Sequence, residues 1–224
     1  MTTVVVMAGG RGARLHPLTH HTPKPLLKVG SKPILQQIIE GYTAQGFTDF
    51  ILSLGYKAEL IEHHFGDGAA FGCSIRYVRE HEPLGTAGSL CLLPTMQGPF
   101  IVHNGDVLAR FGVRNLLEFH SKRPHLATVC AALHQHQVEY GVVEIDHDVL
   151  VAMREKPIEA WTINAGIYVL EPQVIETMPE GPSNMPDLLQ ALPEGRVGVY
   201  QIDGYWSDVG NFIDLAKANQ EWTG

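Results

Sequence analysis

Apolar residues recur along the chain with two alternating periods. Residues 2–8 (TTVVVMA) are β-branched and continuously apolar, as a strand buried on both faces should be. Ser31 and Pro33 open a helical pattern, PILQQIIEGYTAQ, which Gly46 closes. A second buried strand is expected over 49–55 (DFILSLG), a helix over 58–65 stopped by Gly66, and an alternating strand over 73–80 (CSIRYVRE). The spacing in 86–93 (TAGSLCLL), ahead of Pro94, predicts another helix. Strand 100–106 (FIVHNGD) ends in a Gly-Asp turn, helix 115–123 ends before Pro124, and 126–133 (LATVCAAL) is again a buried strand. This βαβα rhythm predicts an α/β fold with a mostly parallel sheet.

Beyond residue 133 the pattern changes. GVVEIDHDVLVAMREKP reads as a hairpin turning at Asp146–Asp148. A strand over 165–171, a helix over 185–192, a strand over 196–202 and a final helix from Asn211 follow. No linker, repeat or low-complexity segment interrupts them. Residues 1–224 are therefore expected to form one continuous domain, with a substrate-binding half from 134 onward.

Composition sets the class. The 45% hydrophobic content is enough for a buried core, and charged residues, at 18%, form no like-sign blocks. No apolar run approaches the roughly 18 residues needed to span a membrane, and residues 2–7 are too short for a signal peptide. Cys73, Cys91 and Cys130 are odd in number and widely spaced, which suits reduced thiols in a cytoplasm. Their apolar contexts place all three in the core.

Charge separates along the chain. Residues 1–39 carry Arg11, Arg14, Lys24, Lys28 and Lys32 and no acidic side chain, whereas the remainder has a formal charge of −13. An acidic bulk argues against nucleic acid, whose binding needs phosphate neutralisation. A basic, glycine-rich segment points instead to a small, highly charged anion such as a nucleoside triphosphate. It is neither a Walker A loop, which needs Gly-Lys-Ser/Thr, nor a dinucleotide fingerprint, whose third glycine would fall on Leu15. What remains is a strand, then Gly9-Gly10-x-Gly12-x-Arg14, then Lys24 between two prolines. Glycines admit phosphate to backbone N–H groups, and Arg14 and Lys24 offer fixed positive charge.

GGRGARLHPLTHHTPKP (9–25) resembles the signature of the sugar-1-phosphate nucleotidyltransferases, with Ala13 where threonine or serine is usual. The resemblance continues in order through LGTAG (84–88), NGD (104–106), YGVV (140–143), EKP (155–157), NAGIYVL (164–170) and YWSDVG (205–210). It implies the nucleotide-diphospho-sugar transferase fold, a Rossmann-like mixed sheet with nucleotide-binding (1–133) and sugar-phosphate-binding (134–224) halves. It implies transfer of a nucleotidyl group from a triphosphate to a sugar 1-phosphate, releasing pyrophosphate. By this resemblance Asp106 and Asp208 hold Mg²⁺, which polarises the α-phosphate. Arg14 stabilises the leaving group and Lys24 bridges the reacting phosphates. Ala8, Gly9, Gly10, Gly12, Gly85, Thr86, Asn104 and Gly105 line the nucleotide. Gly141, Glu155, Lys156, Asn164 and Gly166 line the sugar phosphate.

LGTAG, EKP and MPDLL look most like guanylyltransferase branches acting on mannose-like, heptose or amino-sugar 1-phosphates. They are similar in particular to catalytic domains that follow CBS-type regulatory domains. GTP is the favoured donor; a uridylyltransferase acting on an N-acetylated sugar phosphate is the alternative. A catalytically dead sensor is disfavoured because Arg14, Lys24, Asp106 and Asp208 are all retained. Members often form dimers or tetramers, and the sequence leaves the oligomeric state open. Taken singly, Asp106 reads equally as a turn residue, Asp208 as a helix cap and Lys156 as a surface lysine; in the family's order the functional reading prevails. Most of the 12 histidines lack metal-ligand spacing and are expected in solvent, with His103 close to the metal residues.

Overall fold

The computed structural model describes residues 2–178 and 181–222. Its first strand, β1 (Val4–Ala8), sits centrally in a seven-stranded sheet, and Val4, Val5 and Val6 have no exposed surface. Val4 and Val6 face one core cluster and Val5 the other, so the unbroken apolar run follows from burial on both sides. Each such side chain contributes about 1.5–3 kcal/mol over an exposed one.

After the loop 9–25, two short strands, β2 (Lys28–Val29) and β3 (Lys32–Pro33), form a minimal hairpin. They lead into α1 (Ile34–Thr43), whose Ile34, Leu35, Ile38, Ile39 and Tyr42 form its buried face. Next come β4 (Asp49–Leu54), α2 (Ala58–Phe65) and β5 (Ser74–Arg79), within a residue or two of expectation. Segment 86–93 differs. It is a 3-10 turn over Gly88–Leu92, confined between Gly85 and Pro94. That geometry buries Leu90 and turns Cys91 out, so Cys91 is exposed, Cys73 half-buried and only Cys130 in the core.

β6 (Phe100–Asn104) stops short of the predicted Gly-Asp end, and a separate strand, β7 (Val107–Ala109), follows. α3 (Val113–Ser121) leads to β8 (Ala127–Gln137), which ends four residues beyond the predicted strand. The hairpin is β9 (Val142–Asp146) and β10 (Val149–Arg154), with His147 and Asp148 at positive φ as such a turn requires. β11 (Ile158–Leu170) begins well before residue 165 because its first half pairs with the extension of β8. α4 (Gln173–Glu176), α5 (Met185–Gln190), β12 (Val197–Gln201), β13 (Trp206–Asp208) and α6 (Phe212–Glu221) complete the chain. Asn211 caps α6: its side chain accepts from Ile213 N and Asp214 N, and Asp214 Oδ2 accepts from Asn211 N.

The sheet runs β12-β8-β11-β6-β1-β4-β5. β1 pairs in parallel with β4 and β6, β4 with β5, and β12 with β8, while β11 runs antiparallel to both neighbours. The sheet is thus mixed and mostly parallel. From β1 the chain builds outward to β5 and then crosses back to β6, so strand order reverses between β1 and β6. Ligands of open α/β sheets bind outside the carboxyl ends at such a reversal.

Candidate active site

The loop 9–25 leaves the end of β1 and turns through three short 3-10 segments, Ala13–Leu15, Leu18–His20 and Lys24–Leu26. Thr19 Oγ1 donates to Gly12 O at 2.9 Å, which draws the loop back on itself. Lys24 lies between buried prolines and is only 8% exposed. A buried ammonium needs a counter-charge, and Lys24 Nζ donates to Asp106 Oδ2 at 2.5 Å.

Asp106 lies in the Gly105–Asp106 turn between β6 and β7, not at a strand end. This turn presses on β1. Gly105 N donates to Met7 O at 2.8 Å, and a Cβ on Gly105 would stand 2.8 Å from the same oxygen, so a side chain there would collide with β1. Asp208 arrives from the far end of the chain because β13 pairs with β7, placing it opposite Val107. Val209 N donates to Asp106 O at 2.9 Å and closes the arrangement.

Asp208 Oδ1 is buried and accepts no hydrogen bond among the described residues. Burial pushes this carboxyl above its usual range, Asp106 adds to the shift, and Lys24 and Arg14 oppose it. The Arg14 guanidinium lies next to Gly210, where a Cβ would come within 3.3 Å of it. An orphaned buried carboxylate oxygen beside a second carboxylate is the hard-oxygen donor pair that suits a divalent cation, with phosphate oxygens and water filling the remaining positions. Among the described residues no group of three or more His, Cys, Asp or Glu could hold a metal.

Two cavities flank this cluster. One of about 240 Å³ is lined by Ala8, Gly12, Arg14, Lys24, Gly105 and Asp106. The other, of about 600 Å³, is lined by Gly9, Gly10, Gly85, Thr86, Asn104 and Glu80, among others; Met7, Gly10 and Asp106 belong to both. Every residue expected to line the nucleotide therefore borders one of the two. The LGTAG loop is braced from behind: Met185 N donates to Thr86 Oγ1 at 2.9 Å and Ser183 N to Leu84 O at 2.9 Å. A separate cavity of about 330 Å³ behind α1, bordered by Tyr42, His103 and Trp222, contains none of the residues expected to bind nucleotide or sugar phosphate.

The predicted sugar-phosphate residues fall into two groups. Gly166, at φ 71°, packs against Asn104, and Gly166 N donates to Asn164 Oδ1 at 2.9 Å. Asn164 Nδ2 in turn donates to Tyr168 Oη at 2.7 Å. Trp206 Nε1 donates to Ala165 O at 2.9 Å, so this bulge in β11 is tied to the strand carrying Asp208. Gly141, Glu155 and Lys156 form the second group, at the base of the β9–β10 ribbon. Glu155 and Lys156 are exposed, and among the described residues Lys156 makes no ion pair.

His103 lies on β6, directly before Asn104. Its ring is buried against Tyr42, with centroids 5.5 Å apart, and burial lowers its pKa to about 3, against the pull of Asp106. It is a neutral core residue. Nine other histidines are exposed. Sequence reasoning missed Glu80, Tyr56 and Gly55 in the larger cavity. Only their placement at the carboxyl ends of β4 and β5, beside β1, reveals them.

A family model described as nucleotidyl transferase matches residues 3–223. The chain belongs to this family. Among its relatives, a mannose-1-phosphate guanyltransferase of Pichia angusta is 37% identical over 94% of this chain and 61% of its own length. A mannose-1-phosphate guanylyltransferase of Mycobacterium tuberculosis is 35% identical over 97% of this chain and 63% of its own. The chain thus spans about three-fifths of these curated nucleotidyl transferases. Among solved structures, HddC from Yersinia pseudotuberculosis is 29% identical with a TM-score of 0.77, covering 99% of each chain. Its complex with GMP-PN gives 28% and 0.75 over 99% of each. The nucleotidyl transferase fold expected from the sequence is the one observed.

Proposed function

We infer that the chain transfers guanylyl groups from GTP to a mannose-like, heptose or amino-sugar 1-phosphate, giving a GDP-sugar and pyrophosphate. The observation that carries this reading is the meeting of Lys24, Asp106, Asp208 and Arg14 where strand order reverses, with glycine-lined cavities on either side. The guanylyltransferase relatives and the GMP-PN complex of HddC support GTP as donor. Mg²⁺ is the proposed metal, held by Asp106 and Asp208, and a cytoplasmic location accords with the free thiols. Among the described residues no helix is long and apolar enough to cross a membrane. Residues 1–133 serve as the nucleotide half and 134–224 as the sugar-phosphate half.

The reaction is an in-line displacement. An oxygen of the sugar phosphate attacks the α-phosphorus, and the bond from that phosphorus to the bridging oxygen of pyrophosphate breaks. The nucleophile is already an anion, so no general base is required. When bound, Mg²⁺ supplies charge neutralisation at the α-phosphate. Arg14 is placed to neutralise the departing pyrophosphate, and Lys24 lies beside the carboxylates to meet the α-phosphate. Glycines at 9, 10 and 12 allow backbone N–H groups to approach phosphate closely. Lys156 and Glu155, on the ribbon, would grip the sugar phosphate and its hydroxyls. Holding two anions in line within such a cleft accounts for most of the acceleration in this kind of chemistry.

The test is pyrophosphate release with Mg²⁺ over a grid of nucleoside triphosphates against hexose, hexosamine and heptose 1-phosphates. Strong release with GTP and one sugar is the expected outcome. Release with UTP and an N-acetylated sugar phosphate would overturn the base and keep the chemistry. Silence across the grid with nucleotide still bound would overturn the enzyme reading.

A further inference from the structure

The loop 9–25 is tied to the segment between β4 and α2 by two neighbouring residues, Tyr56 and Lys57. Tyr56 N donates to Gly9 O at 3.0 Å, and Tyr56 Oη donates to Thr19 O at 3.1 Å. Lys57 Nζ donates to His20 O at 2.7 Å and to His21 O at 3.2 Å. Three successive loop carbonyls are thus taken up from this one segment. The Lys57 ammonium also lies over the Tyr56 ring, 5.5 Å from its centroid, and among the described residues it makes no ion pair. Lys57 does this from φ 55° and ψ 40°, left-handed backbone that glycine enters freely and a lysine rarely adopts. A side chain kept at such a position against its own preference marks a use for that side chain.

We propose that Lys57 is a positioning residue for Lys24. Its ammonium pins the backbone at residues 20 and 21, so that the Lys24 side chain moves when the triphosphate enters and the loop does not. The proposal rests on the role given to Lys24 in the transfer reading above, and it names what aims that lysine. Lys24 lies three residues past His21, with its own ammonium on Asp106. Serving a phosphate requires that ammonium to swing away from Asp106 while its backbone stays fixed. Bonds from a charged donor are stronger than neutral ones, so a lysine holds two carbonyls more firmly than an amide or hydroxyl would. Pro23 and Pro25 stiffen the short span that follows, and a shift at residues 20 and 21 therefore carries through to Lys24. A misplacement of about 1 Å at a reacting group can cost on the order of a hundredfold in rate.

The experiment uses three substitutions that separate the ammonium from the backbone. Lys57→Met removes the ammonium and keeps the left-handed strain, Lys57→Gly removes both, and Lys57→Arg keeps a cationic donor. Stability should follow the backbone, with Lys57→Gly melting above Lys57→Met. Activity should follow the cation: kcat/KM for pyrophosphate release should fall by at least about tenfold in both neutral variants and stay within about threefold of the parent in Lys57→Arg. Lys24→Ala should cost at least about tenfold in the parent chain but about threefold or less in Lys57→Gly, because the two residues act through each other. Hydrogen exchange over residues 16–25 should quicken by at least about threefold in both neutral variants. Activity that tracks melting temperature across the three variants overturns the proposal, because the role is then structural. Additive losses from Lys24→Ala and Lys57→Gly overturn it too, and so does exchange unchanged from the parent. If the parent chain transfers nothing, exchange decides alone: quickened exchange leaves the Lys57 contact standing while the transfer reading falls.

Discussion

Asp208 is a carboxylate kept where its own ionisation is disfavoured. Its folded pKa lies above the ordinary aspartate value of 3.8, chiefly through burial and the neighbouring Asp106. The folded state therefore holds its proton to higher pH than the unfolded chain does. Its contribution to stability is greatest below the unfolded value and is lost as pH rises through the folded one. Asp208→Asn removes that cost: stability should fall less steeply just above pH 3.8, and Tm at neutral pH should rise by roughly 2 °C or more. Pyrophosphate release should be nearly abolished in the same variant, and a divalent cation should no longer raise its Tm. A variant less stable than the parent at pH 7 would show that Asp208 holds the fold together, contrary to its orphaned oxygen. Lys24 and Asp106 behave differently, since each satisfies the other, and removing either would strand a charge.

At the scale of elements, β7 and β13 decide whether these residues meet at all. They are three residues each, pair with each other across about half the chain, and bracket Asp106 and Asp208. The β11 bulge supports them through Trp206 and, on its other side, through Gly166 against Asn104. Gly166→Ala tests this support. At φ 71° a Cβ would stand 2.6 Å from Asn104 Nδ2. The left-handed backbone alone costs about 1–2 kcal/mol, and displacing Asn104 should lower kcat by about tenfold or more. A denaturant midpoint and a rate unchanged from the parent would remove the role. The sequence names Asn104, Asp106, Gly166 and Asp208 but carries no sign of the pairing that brings them together. Strands β1, β4 and β6 announce themselves by unbroken apolar runs, because both sheet faces are buried. Three-residue strands carry no periodicity, and their pairing is tertiary. The apolar spacing of 86–93 imitates a helix, but only Gly88–Leu92 winds, as a 3-10 turn ahead of Pro94. Likewise, Arg14, Lys24 and the glycines lie in one contiguous motif and were legible, whereas Glu80 looked like one surface charge among several until β5 carried it to the cavity.

At the scale of the whole molecule, positive charge gathered early in the sequence reaches the two cavities. Residues 1–39 contribute +5 against −13 from the rest, and Arg11, Arg14 and Lys24 from this segment border the two cavities. Arg11, Arg14 and Lys24 attract a polyphosphate to the cleft, against the net negative charge of the remainder. Fields of this kind raise encounter rates and local concentration, and they act over distances that salt screens. The Debye length falls from about 10 Å at 0.1 M to about 3 Å at 1 M, so the approach path loses steering while contacts inside the cleft are less affected. KM for the triphosphate should accordingly rise several-fold between about 0.05 and 0.5 M monovalent salt, with kcat nearly constant. Arg11→Ala should flatten that dependence while leaving kcat intact, because Arg11 borders the cavity from an exposed position and is outside the reacting cluster. A salt-independent KM in the parent chain would mean that the charge separation plays no part in capture, and that the early basic residues act only by direct contact with bound phosphates.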